Sequence, residues 1–204
     1  MTSCLDHLVV TAATLAEGVA HVHAQLGVSP LPGGRHLRMG THNCLLRLGP
    51  AAYLEVIAID PEGGEPEFPR WFQLDQCGRP PRLATWVART GDLRTALAFW
   101  PGYGRIEPME RGALRWEITL PEHGAMPFDG IAPTLIQWHS EPHPAALLPD
   151  SGCALAGLEG RHPQPEGVSA LLRGIGFEGG FRIGPGAPGL IARIQTPGGV
   201  RTLG

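Results

Sequence analysis

Two side chains that can hold a metal ion or move a proton stand inside apolar runs. His7 lies in Leu5-Asp6-His7-Leu8-Val9-Val10 and Glu55 in Tyr53-Leu54-Glu55-Val56-Ile57. Both runs have the length and composition of strands, and strand residues two apart share a face. His7 therefore falls on a face with Leu5 and Val9, and Glu55 on one with Tyr53 and Ile57. A carboxylate among such neighbours is costly to bury unless it is paired, hydrogen-bonded or metal-bound. A shared site is the simplest common explanation. A core histidine with a hydrogen-bond partner and a carboxylate at a rim is the bland one, and the two residues alone do not separate them.

Composition narrows the chemistry. The 204 residues suffice for one sizeable domain or two small ones, and 43% hydrophobic with 17% charged residues is the balance of a soluble globular chain. All 16 basic residues are Arg. The lack of Lys removes Schiff-base chemistry and a phosphate-loop lysine, and it is a bias of the kind a high-GC bacterial gene produces. A formal net charge of −3 leaves no electrostatic footprint for nucleic acid or an anionic membrane. Cys4, Cys44, Cys77 and Cys153 are too dispersed for a zinc ribbon or a redox pair. No basic segment precedes an apolar run at the N-terminus, and no apolar stretch approaches the ~20 residues of a membrane span. The expectation is a cytoplasmic protein with a small-molecule partner.

The elements that must position His7 and Glu55 follow in order. After the first strand, Thr14 and Glu17 have capping-box spacing, Leu15, Val19, Val22 and Leu26 form one helical face, and Gly27 ends it. Pro30, Pro32, Gly33 and Gly34 read as a loop with room for a short irregular strand. Strands follow at Thr41 to Leu48 and Ala52 to Ile59. Residues 61–81 read as a Pro- and Gly-rich linker in which Phe68, Trp71 and Phe72 pack onto the core. The order then recurs: a strand at Leu83–Ala88, a helix capped by Asp92, strands around Arg111-Gly112, and a strand at Thr134 to His139. A third, looser copy runs from Ala154 through a helix opened by Pro165 to strands at Phe181 to Ile183 and Leu190 to Thr196. Gly184-Pro185-Gly186 and Gly198-Gly199 read as hairpin turns. An α+β fold of repeated βαβββ modules is expected, since one module cannot bury both faces of its sheet.

Modules that begin on a strand carrying His and end on one carrying Glu resemble the vicinal oxygen chelate superfamily, which includes glyoxalase I, extradiol dioxygenases and bleomycin-resistance proteins. The likeness is closest to its bacterial glyoxalase-like branch. It rests on the two runs above, on Gly40-Thr41-His42-Asn43, and on Trp86-Val87-Ala88-Arg89-Thr90, Leu114-Arg115-Trp116 and Pro133-Thr134-Leu135-Ile136-Gln137-Trp138. It extends over roughly residues 1–176, with a first module at 1–60 and a second at 82–140. Residues 153–204 form a third module completing or covering the barrel.

The resemblance implies an open half-barrel of curled mixed sheet, with helices outside and ligands projecting inward. His7 and Glu55 match the first module's ligands. In the second module Thr85 stands where a ligand histidine is expected and Gln137 where the second carboxylate is expected, with His139 on the face of Gln137 as a replacement. This set is His7, Glu55, Gln137 and His139, suited without sharp preference to Zn, Mn, Fe or Ni. Glu55 is the candidate base. His42, Asn43, Arg115, Trp86 and Trp138 are the candidate substrate contacts, with Arg47, Arg89 and Trp116 as further ones. The tryptophans alternate with Thr85, Arg115 and Gln137, so not all of them can face inward. Three readings result: a metal-dependent lyase, isomerase or dioxygenase-like enzyme on a small oxygenated substrate; a metal-free binding or sequestering protein; and a scaffold whose third module covers the cleft. The superfamily often forms homodimers, so that state is open as well.

Overall fold

The computed structural model of the chain describes residues 2–76 and 80–204; Cys77 lies outside them. Strand β1 (Ser3–Thr11) leads into helix α1 (Leu15–Leu26), then β2 (Leu31–His36), β3 (Thr41–Arg47) and β4 (Tyr53–Ile59). The capping box forms: the Thr14 hydroxyl accepts from the Glu17 amide while Glu17 accepts from the Thr14 amide, and Gly27 closes the helix at φ 71°. The second half repeats this with β5 (Arg82–Thr90), α2 (Leu93–Phe99), β6 (Arg105–Arg111), β7 (Leu114–Leu120) and β8 (Thr134–Trp138). Asp92 caps α2 through the Thr95 amide.

The eight strands lie in the order β2-β3-β4-β1-β5-β8-β7-β6. Each half contributes one parallel pair, β1 with β4 and β5 with β8, and the halves join where β1 and β5 run antiparallel. The topology of one half is thus the topology of the other turned about that seam. The sheet is curled into an open half-barrel. Its two edge strands are bridged by side chains: Arg38 of the turn after β2 bonds the Pro108 carbonyl at 2.6 Å and Glu107 of β6 at 2.6 Å.

Alternation divides the side chains between two cores. Val9, Ile57, Val87, Trp116, Ile118 and Ile136 pack inside the curl, joined by Trp71 and Phe72 from a 3-10 turn at Trp71–Gln73. Leu8, Val10, Leu54, Val56 and Trp86 pack on the convex face against the helices.

The remaining residues form a short helix α3 (Pro144–Leu147), then β9 (Ala154–His162), α4 (Pro165–Gly174), β10 (Phe177–Glu178), β11 (Phe181–Pro185), β12 (Gly189–Thr196) and β13 (Gly199–Leu203). The strand–helix–strands sequence of the first two units recurs, but its strand order differs. The second sheet runs β11-β9-β12-β13, with the first strand of the unit inside rather than at the end. Only β10 joins the large sheet, beside Ser3 and Cys4. The small sheet does not cover the inner cavity. It packs on the convex face, where Leu158, Leu190, Ala192 and Ile194 share a core with Leu8, Val10 and Trp86. Among the described residues no helix is long and apolar enough to cross a membrane.

Candidate functional site

The inner face of β1, β3 and β4 carries a connected polar cluster. Regular alternation would put Asp6 and His7 on opposite faces, but the β1–β5 register slips between Leu5 and His7, leaving Asp6 as the bulged residue. Both side chains are consequently buried and touch: His7 Nδ1 lies 2.7 Å from Asp6 Oδ1. The other Asp6 oxygen accepts from Trp138 Nε1 at 2.9 Å and meets His143 Nε2 at 2.9 Å. Arg89 stands 3.8 Å from it. His143 Nδ1 accepts from the Ala145 amide, which leaves Nε2 as the donor to Asp6. Tyr53, paired with His7 across β1 and β4, stacks on the imidazole with ring centroids 4.6 Å apart.

His7 Nε2 in turn lies 3.6 Å from Glu55 Oε2. The other Glu55 oxygen accepts from Asn43 Nδ2 at 2.5 Å. Asn43 cannot turn over, because its Oδ1 already accepts from the Gly34 amide at 2.9 Å and from Arg111 NH1 at 2.9 Å. Burial alone would drive the His7 proton off and the Glu55 proton on. The flanking charges overcome it: hydrogen bonds and attraction from Asp6 and Glu55 raise His7 to about 9, and His7 with Asn43 lowers Glu55 to about 2. At neutral pH the proton rests on His7, between two carboxylates.

A second histidine behaves oppositely. His36 is buried, and burial, followed by repulsion from Arg111, lowers it to about 4. Its Nε2 faces Arg111 NH1 at 3.3 Å and its Nδ1 faces the Thr41 hydroxyl at 3.1 Å. The neutral ring therefore accepts from Arg111 and donates to Thr41.

These groups surround a cavity of about 30 Å³, lined also by Trp71, Phe72, Trp116, Ile118, Ile136 and Trp138. That is room for one or two water molecules. Arg111 and Trp116 also line a neighbouring cleft of about 940 Å³ with Arg35, Arg38, Arg115 and His139.

The structure brings together His7, Asn43, Glu55 and Trp138. It places the other expected residues elsewhere. Gln137 points to the convex side, where its Oε1 accepts from the Leu93 amide at the start of α2. His139 pairs with Glu117 at 3.0 Å on the wall of the outer cleft. Arg115 lines that cleft too. His42 alternates with Asn43 and shares the face of Cys44 and Leu46, which belong to the convex core. Trp86 is fully buried on that convex face, donates to the Ile131 carbonyl at 2.9 Å, and packs on Phe177 and Phe181. Arg47 holds the Gly49 and Leu148 carbonyls. Asp6, His36, Tyr53 and Arg111 belong to the site but carried no sequence signal beyond lying in or beside the right strands.

The donor set tests a divalent metal directly. His7 and Glu55 offer two donors, and a carboxylate bonded to the other ring nitrogen, as Asp6 is to His7 Nδ1, is the usual partner that orients a ligating imidazole. The opposite half offers Ile118, Ile136, Trp116 and the Trp138 N–H, none of which is a ligand. Among the described residues no group of three His, Cys, Asp or Glu could hold a metal ion. A catalytic site ordinarily needs three protein ligands. The residues present do not complete that set, and a metal would also have to displace the proton that Asp6 and Glu55 hold on His7.

No curated protein matches the chain. Among solved structures, a hypothetical protein from Staphylococcus aureus is 14% identical, covering 92% of this chain and 88% of that one at a TM-score of 0.66. Methylmalonyl-CoA epimerase from Mycobacterium tuberculosis is 21% identical over 70% of this chain and 91% of that one, at a TM-score of 0.43. The model of the family described as glyoxalase-like domain matches residues 5–176. With two βαβββ halves joined at β1 and β5 and a polar cluster on the inner face, the chain belongs to the glyoxalase-like domain family of the vicinal oxygen chelate superfamily.

Proposed function

We propose that this chain binds a small oxygenated molecule where its inner cavity adjoins the larger cleft at Arg111 and Trp116, with only the ligand's oxygens reaching toward His7 and Glu55, without a protein-held metal. The observation that supports this reading is that protein groups already hold one side of His7 and of Glu55, and that the wall opposite supplies no further ligand. Asp6 and Asn43 hold them, they face each other, and the wall opposite is Trp116, Ile118, Ile136 and Trp138. A carboxylate lowered to about 2 is also a weak base for removing a proton from carbon. The reach of the cluster suits recognition: an imidazolium N–H and an amide meet a ligand's oxygens, and the indoles cover its apolar part.

The test is a ligand screen by thermal shift and tryptophan fluorescence with hydroxy-ketones, hydroxy acids and catechols, each with and without chelator. The expected result is stabilisation that survives chelation and is lost in His7→Ala with Glu55→Ala. Binding that disappears with chelator and returns with Zn, Mn, Fe or Ni would overturn the metal-free reading.

A catalytic reading has its own support in the charge order of the site. A proton held on His7 beside an ionised Glu55 can pass to a substrate oxygen while Glu55 takes one from the adjacent carbon, so the pair is left with the same number of protons. Incubation of any ligand so found in deuterated buffer distinguishes the two. Exchange at its carbon, abolished by Glu55→Gln, makes the chain an enzyme; no exchange leaves it a binding protein.

A further inference from the structure

The inner cavity is chemically one-sided. Its β1–β4 floor carries Glu55, an acceptor. At its mouth, around His36, stand two donors whose hydrogen-bonding capacity the protein leaves partly unused. Arg111 is one. Its NH1 is held by Asn43 Oδ1 and His36 Nε2, both neutral acceptors, and among the described residues no carboxylate lies within ion-pair distance of it. Arg35 and Arg38 differ, since Asp60, Glu62 and Glu107 already neutralise them. Trp71 is the other donor. It is buried, it lines the cavity, its ring meets His36 edge to face at 5.1 Å, and its indole N–H has no hydrogen-bond partner among the described residues. An unpaired buried N–H is destabilising, and a ligand acceptor placed against it removes that cost. Trp71 reaches this place through Phe72 and Gln73, both at positive φ, a conformation bulky residues rarely adopt.

From this juxtaposition we infer that the mouth of the cavity is a subsite for a carboxylate, held by the free edge of the Arg111 guanidinium and by the Trp71 indole N–H, and that the ligand is a small monocarboxylic acid with an oxygen substituent next to the carboxylate. The planar fork of Arg111 matches two carboxylate oxygens. One uncompensated positive charge close to the ionised Glu55 suits a singly charged anion better than a phosphate dianion. The adjacent substituent then falls toward His7 and Glu55, and any longer tail leaves past Trp116 into the larger cleft. This subsite rests on the proposal that the cavity holds a small molecule, but its failure is separable from failure of that proposal.

The experiment compares 2-hydroxybutanoate with its neutral amide, 2-hydroxybutanamide, and with inorganic phosphate, by calorimetry and tryptophan fluorescence on the full chain. The expected result is acid binding roughly tenfold or more tighter than amide binding, with phosphate weaker than the acid. The preference should collapse toward unity in Arg111→Gln, shrink in Trp71→Phe, and persist in Glu55→Gln. Acid and amide binding equally, or a preference that survives Arg111→Gln, overturns the carboxylate subsite while leaving the cavity as a binding site. Phosphate binding more tightly than the acid overturns the assignment to carboxylates. Binding of none of the three while a hydroxy-ketone or catechol still binds overturns the subsite alone; binding of none of these compounds overturns the proposed function as well.

Discussion

The two halves of the barrel share a topology and differ in chemistry. The inner face of β1, β3 and β4 holds His7, Asn43, Tyr53 and Glu55, with Asp6 behind them. The matching face of β5, β7 and β8 holds Val87, Trp116, Ile118, Ile136 and Trp138. Repetition of a unit supplies symmetric backbone positions, but each position can be filled independently. Here one half became the polar floor and the other the wall. Two polar elements of the wall side reach across: the Trp138 N–H, which ends on Asp6, and Arg111, which ends on Asn43. The Trp138 N–H is used up in completing the hydrogen bonding of the floor, whereas Arg111 does so through NH1 alone.

This division can be broken most severely at Asp6. Its two oxygens serve His7, His143 and Trp138 in a fully buried position. Asp6→Ala strands an imidazolium and two N–H donors at once. The expected loss is about 3–5 kcal/mol of unfolding free energy, read by denaturant titration. Asp6→Asn should recover part of it by accepting from some of the same donors. Equal stability of Asp6→Ala and the native chain would mean that the cluster carries no net structural weight.

A milder perturbation uses protons. His36 titrates near 6.5 when unfolded and about 4 when folded. Between those values the unfolded chain binds more protons, so stability falls as the pH drops from about 6.5 to about 4, by up to about 3 kcal/mol, and this contribution is then flat below 4. Subtracting the pH profile of His36→Gln from that of the native chain isolates the slope. A difference profile without slope in that window would mean that His36 is not held neutral between Arg111 and Thr41.

The smallest expected effect comes from the edge of the floor. A Cβ on Gly33 would stand 2.2 Å from Asn43 Oδ1. Gly33→Ala should therefore push the Asn43 amide away from Glu55, at a cost of about 1–3 kcal/mol. Its sharper readout is the exchange rate of the Asn43 side-chain amide protons, expected to rise. Gly91→Ala, between β5 and α2, with nothing near its absent Cβ and no positive φ, controls for the general cost of adding a methyl at a Gly.

The fold was legible because it is repeated. The order strand, capped helix, three strands recurs between residues 1–60 and 82–140, with Thr14 and Asp92 capping the two helices, and His7 and Glu55 stand out because polar residues are rare in such runs. What was not legible depends on register. Gln137 and Trp138 are neighbours on one strand, and nothing local decides which one faces the cavity. The Trp116–Trp138 pairing across β7 and β8 decides it, and sends Gln137 to cap α2. Trp86 goes to the convex face for the same reason. Asp6 was hidden by the bulge, since alternation assigns it away from His7. Arg111 was hidden by distance: it lies 68 residues from Asn43 and meets it only when the sheet curls. The strand order of the last unit was equally invisible, because a strand–helix–strands sequence allows its first strand to lie inside or at the end of a sheet.

The antiparallel seam between β1 and β5 has a consequence for how occupancy responds to dilution. Floor and wall belong to one chain and are hydrogen-bonded along that seam, so the cavity is an intramolecular assembly. Its effective concentration is fixed by the tether between β4 and β5, whatever the amount of protein present. Any ligand found by the proposed screen should bind as tightly per chain in a preparation diluted far below micromolar as in a concentrated one. For the same reason, a chain damaged in its floor and a chain damaged in its wall, mixed in one tube, should not rescue each other.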